Sequence, residues 1–329
     1  MKTTFRKTGI LFLAVFALTS CEKNDDRDPI DAAPTTSEFS ALRQEAMDNI
    51  TQHFILTAEE GQTTFTSDKG VLITIDGSCL TLDGNPVTGE VAIEYAEVFD
   101  AGTMLVTDKT TMGALPGGGM GLIISGGEFY INATQNGQQL GMGCNLNLKI
   151  PANLTGGIDN DMTLWAGVID EDGNLEWKER ENNPGTGDAG VFGDGQGEAA
   201  AYYAFFNAFG WTNVDRFYSD PRPKTTILAD VPDGYTFGNS AIYLHYDGAG
   251  SALAKLDSYD AVNELFTEHY GQIPIGLECH VIFATEEDGQ WRYAIKGVTV
   301  QADDVYTFTS AETILGSEED LVAAINALP

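Results

Sequence analysis

Apolar and polar positions alternate in short runs over Val71 to Ile75, Glu90 to Val98, Glu128 to Ala133, Asn145 to Ile150, Met162 to Ile169 and Leu175 to Glu179. The runs are rich in β-branched and aromatic residues, and Gly, Asp and Asn separate them. A period of two sends successive side chains to opposite faces of a strand, so each run predicts a half-buried strand. Their close succession predicts a β-sandwich within 37–182. Similar runs at Lys224 to Ala229, Ala241 to Tyr246, Leu277 to Thr285, Trp291 to Val300 and Val305 to Thr309 predict a second β-rich part over 200–329.

Helical spacing occurs three times. Phe39, Leu42, Ala46, Met47 and Ile50 fit a first helix with Ser37 as its N-cap. Tyr259, Val262, Leu265, Phe266 and Tyr270, with Gly271 just beyond, predict a helix near 257–270. Leu321, Val322, Ile325 and Leu328, with Ser317 ahead and Asp320 three residues later, predict another near 317–328. The predicted class is mostly β: a β-sandwich followed by a second β-rich part with one or two packed helices.

Asp-Gly pairs at Asp172-Gly173 and Asp288-Gly289, each between strand-like runs, predict hairpin turns, because both residues tolerate positive φ. Asp170, Asp172 and Asn174 invite a calcium reading, but Gly173 stands fourth rather than sixth and no glutamate follows at the twelfth place. Six glycines between Pro184 and Gly197 mark a linker or long loop over 183–199. Gly117-Gly118-Gly119-Met120-Gly121 lacks the Lys-Ser/Thr of a phosphate loop and reads as a flexible loop.

The chain begins differently. Lys2, Arg6 and Lys7 precede nine apolar residues, Ile10 to Leu18, and Thr19-Ser20-Cys21 follows. Nine are too few to cross a bilayer, which needs about 20. The segment Leu18-Thr19-Ser20-Cys21 resembles a bacterial lipoprotein signal, which implies cleavage after residue 20 and acyl chains (palmitate or a related fatty acid) on Cys21. Residues 21–36 are charged or poor in apolar residues and read as a flexible acidic tether. The acids after Cys21 resemble the surface-export tag of Bacteroidetes lipoproteins, which implies an outer-membrane lipoprotein at the cell surface.

Loss of residues 1–20 removes three of 17 basic residues and none of the 49 acidic ones, leaving 14 against 49 and a formal charge of −35. Such a surface repels nucleic acid, whose binding rests on Lys and Arg. Cys79, Cys144 and Cys279 show no paired spacing, so a zinc ribbon is unsupported and their pairing stays open. His53, His245, His269 and His280 are dispersed, and neither a close histidine pair nor a GxSxG elbow is present. We therefore expect no catalytic residues, no metal and no cofactor. Trp211, Asp215, Arg216 and Tyr218, in the densest aromatic stretch, are the candidates for a protein or glycan ligand, set against plain core packing.

Val87-Thr88-Gly89-Glu90-Val91, Ser125 to Ile131, Leu164 to Trp177 and Gly210 to Phe217 carry a loose likeness to Bacteroidetes surface proteins. Their β-sandwich is similar to the domain shared by netrin receptors and ankyrins. The resemblance implies a protein-interaction module anchored to the bilayer through Cys21. The expected role is a non-enzymatic binding or assembly module of the cell envelope. The alternatives are a surface hydrolase acting on glycan or peptide, and a structural subunit of an envelope complex.

Overall fold

A computed structural model describes residues 33–169, 174–180, 189–268 and 270–329. The signal, Cys21 and most of the tether lie outside the described residues, as do the turn residues Asp170 to Gly173. The described part is mostly β, with several sheets and three α-helices: α1 (Thr36–Ile50), α2 (Ala101–Thr107) and α3 (Glu318–Asn326).

The alternating runs become strands close to where the pattern puts them. Glu90–Val98 and Leu175–Glu179 match it residue for residue, and Leu146–Pro151 and Thr163–Ile169 shift by one. An eight-stranded sheet is built around the long strand Met120–Gln135, which pairs antiparallel with Glu90–Val98 on one side and Gly210–Phe217 on the other. A five-stranded sheet centres on Leu146–Pro151, flanked by Leu72–Asp76 and Ala201–Phe206. One face of each sheet feeds a shared core. Ile93, Tyr95, Phe129, Ile131, Leu164 and Val214 come from the first, and Ile73, Leu148, Ile150, Tyr202 and Phe206 from the second. A disulfide joins Cys79 to Cys144, while Cys279 is a buried free thiol.

The glycine-rich stretch does not divide the sheets. Gly190–Asp194 and Ala201–Phe206 complete the five-stranded sheet, and Gly210–Phe217 runs through the larger one. The stretch 183–199 therefore does not mark a boundary between the sheets before it and those after it. Alternation in Tyr202 to Phe206 belongs to the same core that Ile150 and Leu148 fill, and composition alone hid that continuity.

Beyond Phe217 a second five-stranded sheet has Ser240–Tyr246, Glu278–Glu287 and Gln290–Thr299 at its centre. Asp288 and Gly289 take φ 53° and 76° and close its hairpin as the Asp-Gly pattern requires. All three helices cover one face: Phe39 and Leu42 of α1, Met104 and Leu105 of α2, and Leu321 and Ile325 of α3 pack on Ala241, Tyr243, Ile282 and Trp291. None of the described helices is long and apolar enough to cross a membrane.

Three local expectations change. The cap of α1 is Thr35, not Ser37, because Glu38 stands three residues after Thr35 and completes the reciprocal box with it. The tether is pinned before its expected end, since Asn239 Nδ2 donates to the Pro34 carbonyl at 2.9 Å. In place of a helix near 257–270 there is a hairpin, Ser258–Asp260 against Leu265–Thr267. Asp260 Oδ1 accepts from the Val262 and Asn263 amides at 2.9 and 3.2 Å, drawing the backbone into a turn that competes with the helix. Val262, meant for the buried stripe, is 90% exposed.

Candidate functional site

The strand Gly210–Phe217 carries three of the four ligand candidates, and strand alternation puts Trp211 and Asp215 on one face and Arg216 on the other. Trp211 sits half-buried, 5.4 Å from Tyr130 and 6.4 Å from Trp177 between ring centres. Asp215 is fully buried. Arg216 is bonded through Nε to Asp159 Oδ2 at 2.5 Å, not to Asp215. Tyr218 donates to Asp220 Oδ2 at 3.2 Å and packs edge-on against Tyr246. These four side chains are not brought together as one platform.

Around Asp215 the structure gathers charges that the sequence reading left apart. The Ser125 hydroxyl donates to Asn213 Oδ1 at 2.8 Å, and Asn213 Nδ2 donates to Asp215 Oδ2 at 2.5 Å. Glu128 is fully buried beside them, and neither carboxyl oxygen has a hydrogen-bond partner among the described residues. Burial pushes the Glu128 carboxyl well above the usual range, with the Lys109 charge opposing it. Burial raises Asp215 in the same way, and Glu128 adds to it. Lys109 is lowered chiefly by burial, and its ammonium lies 5.6 Å from the Trp211 ring centre. Two carboxyls of raised pKa are the makings of acid–base chemistry, but general catalysis also needs contact with a substrate. Here both carboxyls are sealed.

A second, part-buried network adjoins it. Asp108, the left-handed C-cap of α2, meets Arg43 at 3.0 Å and Lys255 at 3.0 Å, while the Tyr243 hydroxyl donates to its Oδ1 at 2.7 Å. Arg43 Nη2 donates to that same hydroxyl at 2.8 Å. Burial alone would raise Asp108, but Arg43 and Lys255 outweigh it and hold the carboxyl well below the ordinary range. This network ties α1 and α2 to Ser240–Tyr246 and Ala254–Lys255. Near it the Thr111 amide donates to the Leu253 carbonyl, and the Ser125 amide to that of Ser251. Both charged clusters thus line a seam between the sheets on either side of Phe217.

The third constellation lies on the helix-covered face of the last five-stranded sheet. His245 and His280 are direct cross-strand partners, and Asp247 follows His245 by two residues. His280 Nδ1 is 2.8 Å from Asp247 Oδ1, and His245 Nδ1 is 3.8 Å from that oxygen. Burial lowers the His245 pKa, with Asp247 opposing it. The expectation of dispersed histidines fails for this pair. Thirty-five residues of chain separate them, and only the strand register makes them neighbours. The legible part was His245-Tyr246-Asp247, whose period of two sets His245 and Asp247 on one face. His53 is exposed on Gln52–Thr57, and His269 lies outside the described residues.

A narrow cleft is lined by Met112, Met120, Leu122, Tyr246, Glu268 and Tyr270. Glu268 is the acid in this lining, and its carboxylate accepts from the Tyr270 and Gly271 amides at 2.7 and 2.9 Å. Compared with known proteins, the chain matches no family model and no curated protein.

Proposed function

We propose that this chain is an acylated lipoprotein of the bacterial cell envelope whose folded body acts as a non-enzymatic binding or assembly module. The observation that carries the reading is Leu18-Thr19-Ser20-Cys21 after a basic head and a nine-residue apolar run. Each buried methylene contributes about 0.8 kcal/mol, so two or more acyl chains on Cys21 hold a water-soluble body at a bilayer. The acidic residues after Cys21 support display at the outer surface of the outer membrane. On this reading, the two sheets sharing the first core are a β-sandwich of the kind shared by netrin receptors and ankyrins, and the chain beyond Phe217 is a second β-rich part.

Sealing of Glu128 and Asp215 weighs for binding over hydrolysis, because a glycosidase-type pair must flank the bond it breaks. Edge strands give the body somewhere to dock. Gln52–Thr57 ends the eight-stranded sheet with Ile55 65% exposed, and Ile314–Gly316 ends the last sheet with Ile314 and Leu315 exposed.

The test is metabolic labelling with an alkyne fatty acid, followed by fractionation of cells carrying the wild type or Cys21→Ala. The reading expects label only on the wild type and release of the variant from the membrane fraction with its fold intact. An unlabelled wild type, or turnover of a glycan or peptide by the purified protein, overturns it.

A further inference from the structure

We propose that His245, Asp247 and His280 form a binding site for a divalent transition-metal ion of the zinc type, independent of the lipid anchor. One ligand atom from each of the three lies within 4.8 Å of the other two. Tetrahedral zinc held at about 2.0–2.1 Å sets its ligands about 3.3 Å apart. Two of the three ligand separations, 2.8 Å and 3.8 Å from Asp247 Oδ1, bracket that edge and the third lies within 4.8 Å, so side-chain rotation without a backbone shift brings the donors to an ion.

Two further observations point to a ligand. His245 is 6% exposed, yet its Nδ1, turned toward Asp247 at 3.8 Å, has no hydrogen-bond partner among the described residues. A buried polar atom left so costs about 1–3 kcal/mol, which a metal bond removes. Opposite His280 on the next strand stands Gly297, where a Cβ would come within 3.2 Å of His280 Nε2. The third strand is thus bare where the imidazole needs room. Both histidines sit on central strands with neighbours on each side, which fixes their backbones before any ion arrives.

Chemistry selects the ion. Two imidazoles and one carboxylate suit zinc, cobalt, nickel or copper, whereas calcium and magnesium prefer oxygen donors. Three protein ligands leave a fourth position for water or for a donor from a partner. Asp247 brings one negative charge, and the acidic surface raises the local concentration of cations.

The experiment titrates Co²⁺ and Zn²⁺ into the full mature chain, solubilised in detergent and freed of metal beforehand. Calorimetry follows binding, and the visible d–d absorption of Co²⁺ reports geometry. We expect one ion per chain, intense absorption of the tetrahedral kind, displacement by Zn²⁺, and at least a tenfold loss of affinity in His280→Ala and in Asp247→Asn. Gly297→Ala, which crowds the His280 ring on its Nε2 side while removing no donor atom, should weaken binding in the same direction. Absence of saturable Co²⁺ binding by the folded wild type overturns the site. So does binding of unchanged strength in the folded His245→Ala, His280→Ala double variant, since the ion would then sit elsewhere. The outcome is separate from acylation: a chain without its anchor still binds metal if the site exists.

Discussion

Asn326 of α3 clamps the start of α2 through Asp100: its Nδ2 donates to Asp100 Oδ1 at 2.7 Å, while its own Oδ1 accepts from the Gly102 amide at 2.8 Å. Asp100 is itself the N-cap of α2, accepting from the Thr103 amide at 2.8 Å. Gly102 lets the helices touch, since a Cβ there would lie 2.6 Å from the Val322 carbonyl oxygen. One side chain near the end of the chain thus satisfies a helix terminus more than 200 residues earlier. Asn326→Ala should lower stability by about 1–2 kcal/mol, the scale of a lost cap, with the midpoint of urea unfolding as the measure. An unchanged midpoint would mean that water replaces the amide without loss. Gly102→Ala should cost more, because backbone stands in the way of the new methyl.

The Arg43–Asp108–Lys255 network makes a larger prediction. Removing one member strands charge in the part-buried seam, and the cost of breaking a fully buried pair, about 3–5 kcal/mol, is the upper bound here. Arg43→Met should therefore destabilise by up to that amount, with Lys255 left to neutralise Asp108 alone. Acid should do the same by titration. Asp108 is depressed in the folded state, so its contribution is complete above the unfolded carboxylate pKa and is lost as pH falls through the folded one. Stability of the wild type should drop steeply below about pH 4, and Asp108→Asn should start lower and show a shallower acid slope.

Glu128 and Asp215 act with the opposite sign. Their folded carboxyls hold protons that the unfolded chain releases, so stability falls as pH rises from the unfolded pKa toward the raised folded one. Each such group removes at most about 1.4 kcal/mol per pH unit over that window. Glu128→Gln eliminates one of the two titrations, so unfolding free energy plotted between about pH 5 and 8 should decline less steeply than in the wild type. A parallel pair of curves would mean that Glu128 is charged in the folded state, held so by Lys109.

Much of this architecture was readable because periodicity reports burial locally. The run Glu90 to Val98 is a strand because Val91, Ile93 and Tyr95 must reach one core, and that need is written at every second position. The helix near 317–328 was equally plain, carrying its own capping residues, and α3 occupies Glu318–Asn326. Helix α2 was not foreseen: seven residues give too few turns for a period, and its cap partner Asn326 is remote. The false helix near 257–270 arose because Tyr259 and Phe266, which pack edge-on across a hairpin at 5.0 Å, also fit a spacing of seven. Candidate chemistry was less legible still. Trp211, Asp215, Arg216 and Tyr218 are neighbours in sequence and part in space, whereas His245 and His280 are far apart in sequence and meet in register.

Cysteine chemistry offers the last prediction. The sequence left three pairings open, and the structure joins Cys79 to Cys144 across 65 residues. Closing a loop of that length in the unfolded chain is worth about 4 kcal/mol in the chain-entropy account, at the upper end of the usual 2–4 kcal/mol. Incubation with dithiothreitol should therefore lower the unfolding midpoint markedly, and Cys79→Ser should show the same loss and become insensitive to the reductant. Cys279 gives an internal control. Burial pushes its thiol up to about 12, so the reactive thiolate is scarce at neutral pH and the sulfur is shielded. In the folded wild type iodoacetamide should leave Cys279 unmodified, and mass spectrometry after denaturant should find it alkylated while Cys79 and Cys144 stay joined. Labelling of Cys79 without reductant would break the assignment. Cys279→Ala should leave the dithiothreitol response intact, which separates the disulfide's contribution from the packing of the free thiol.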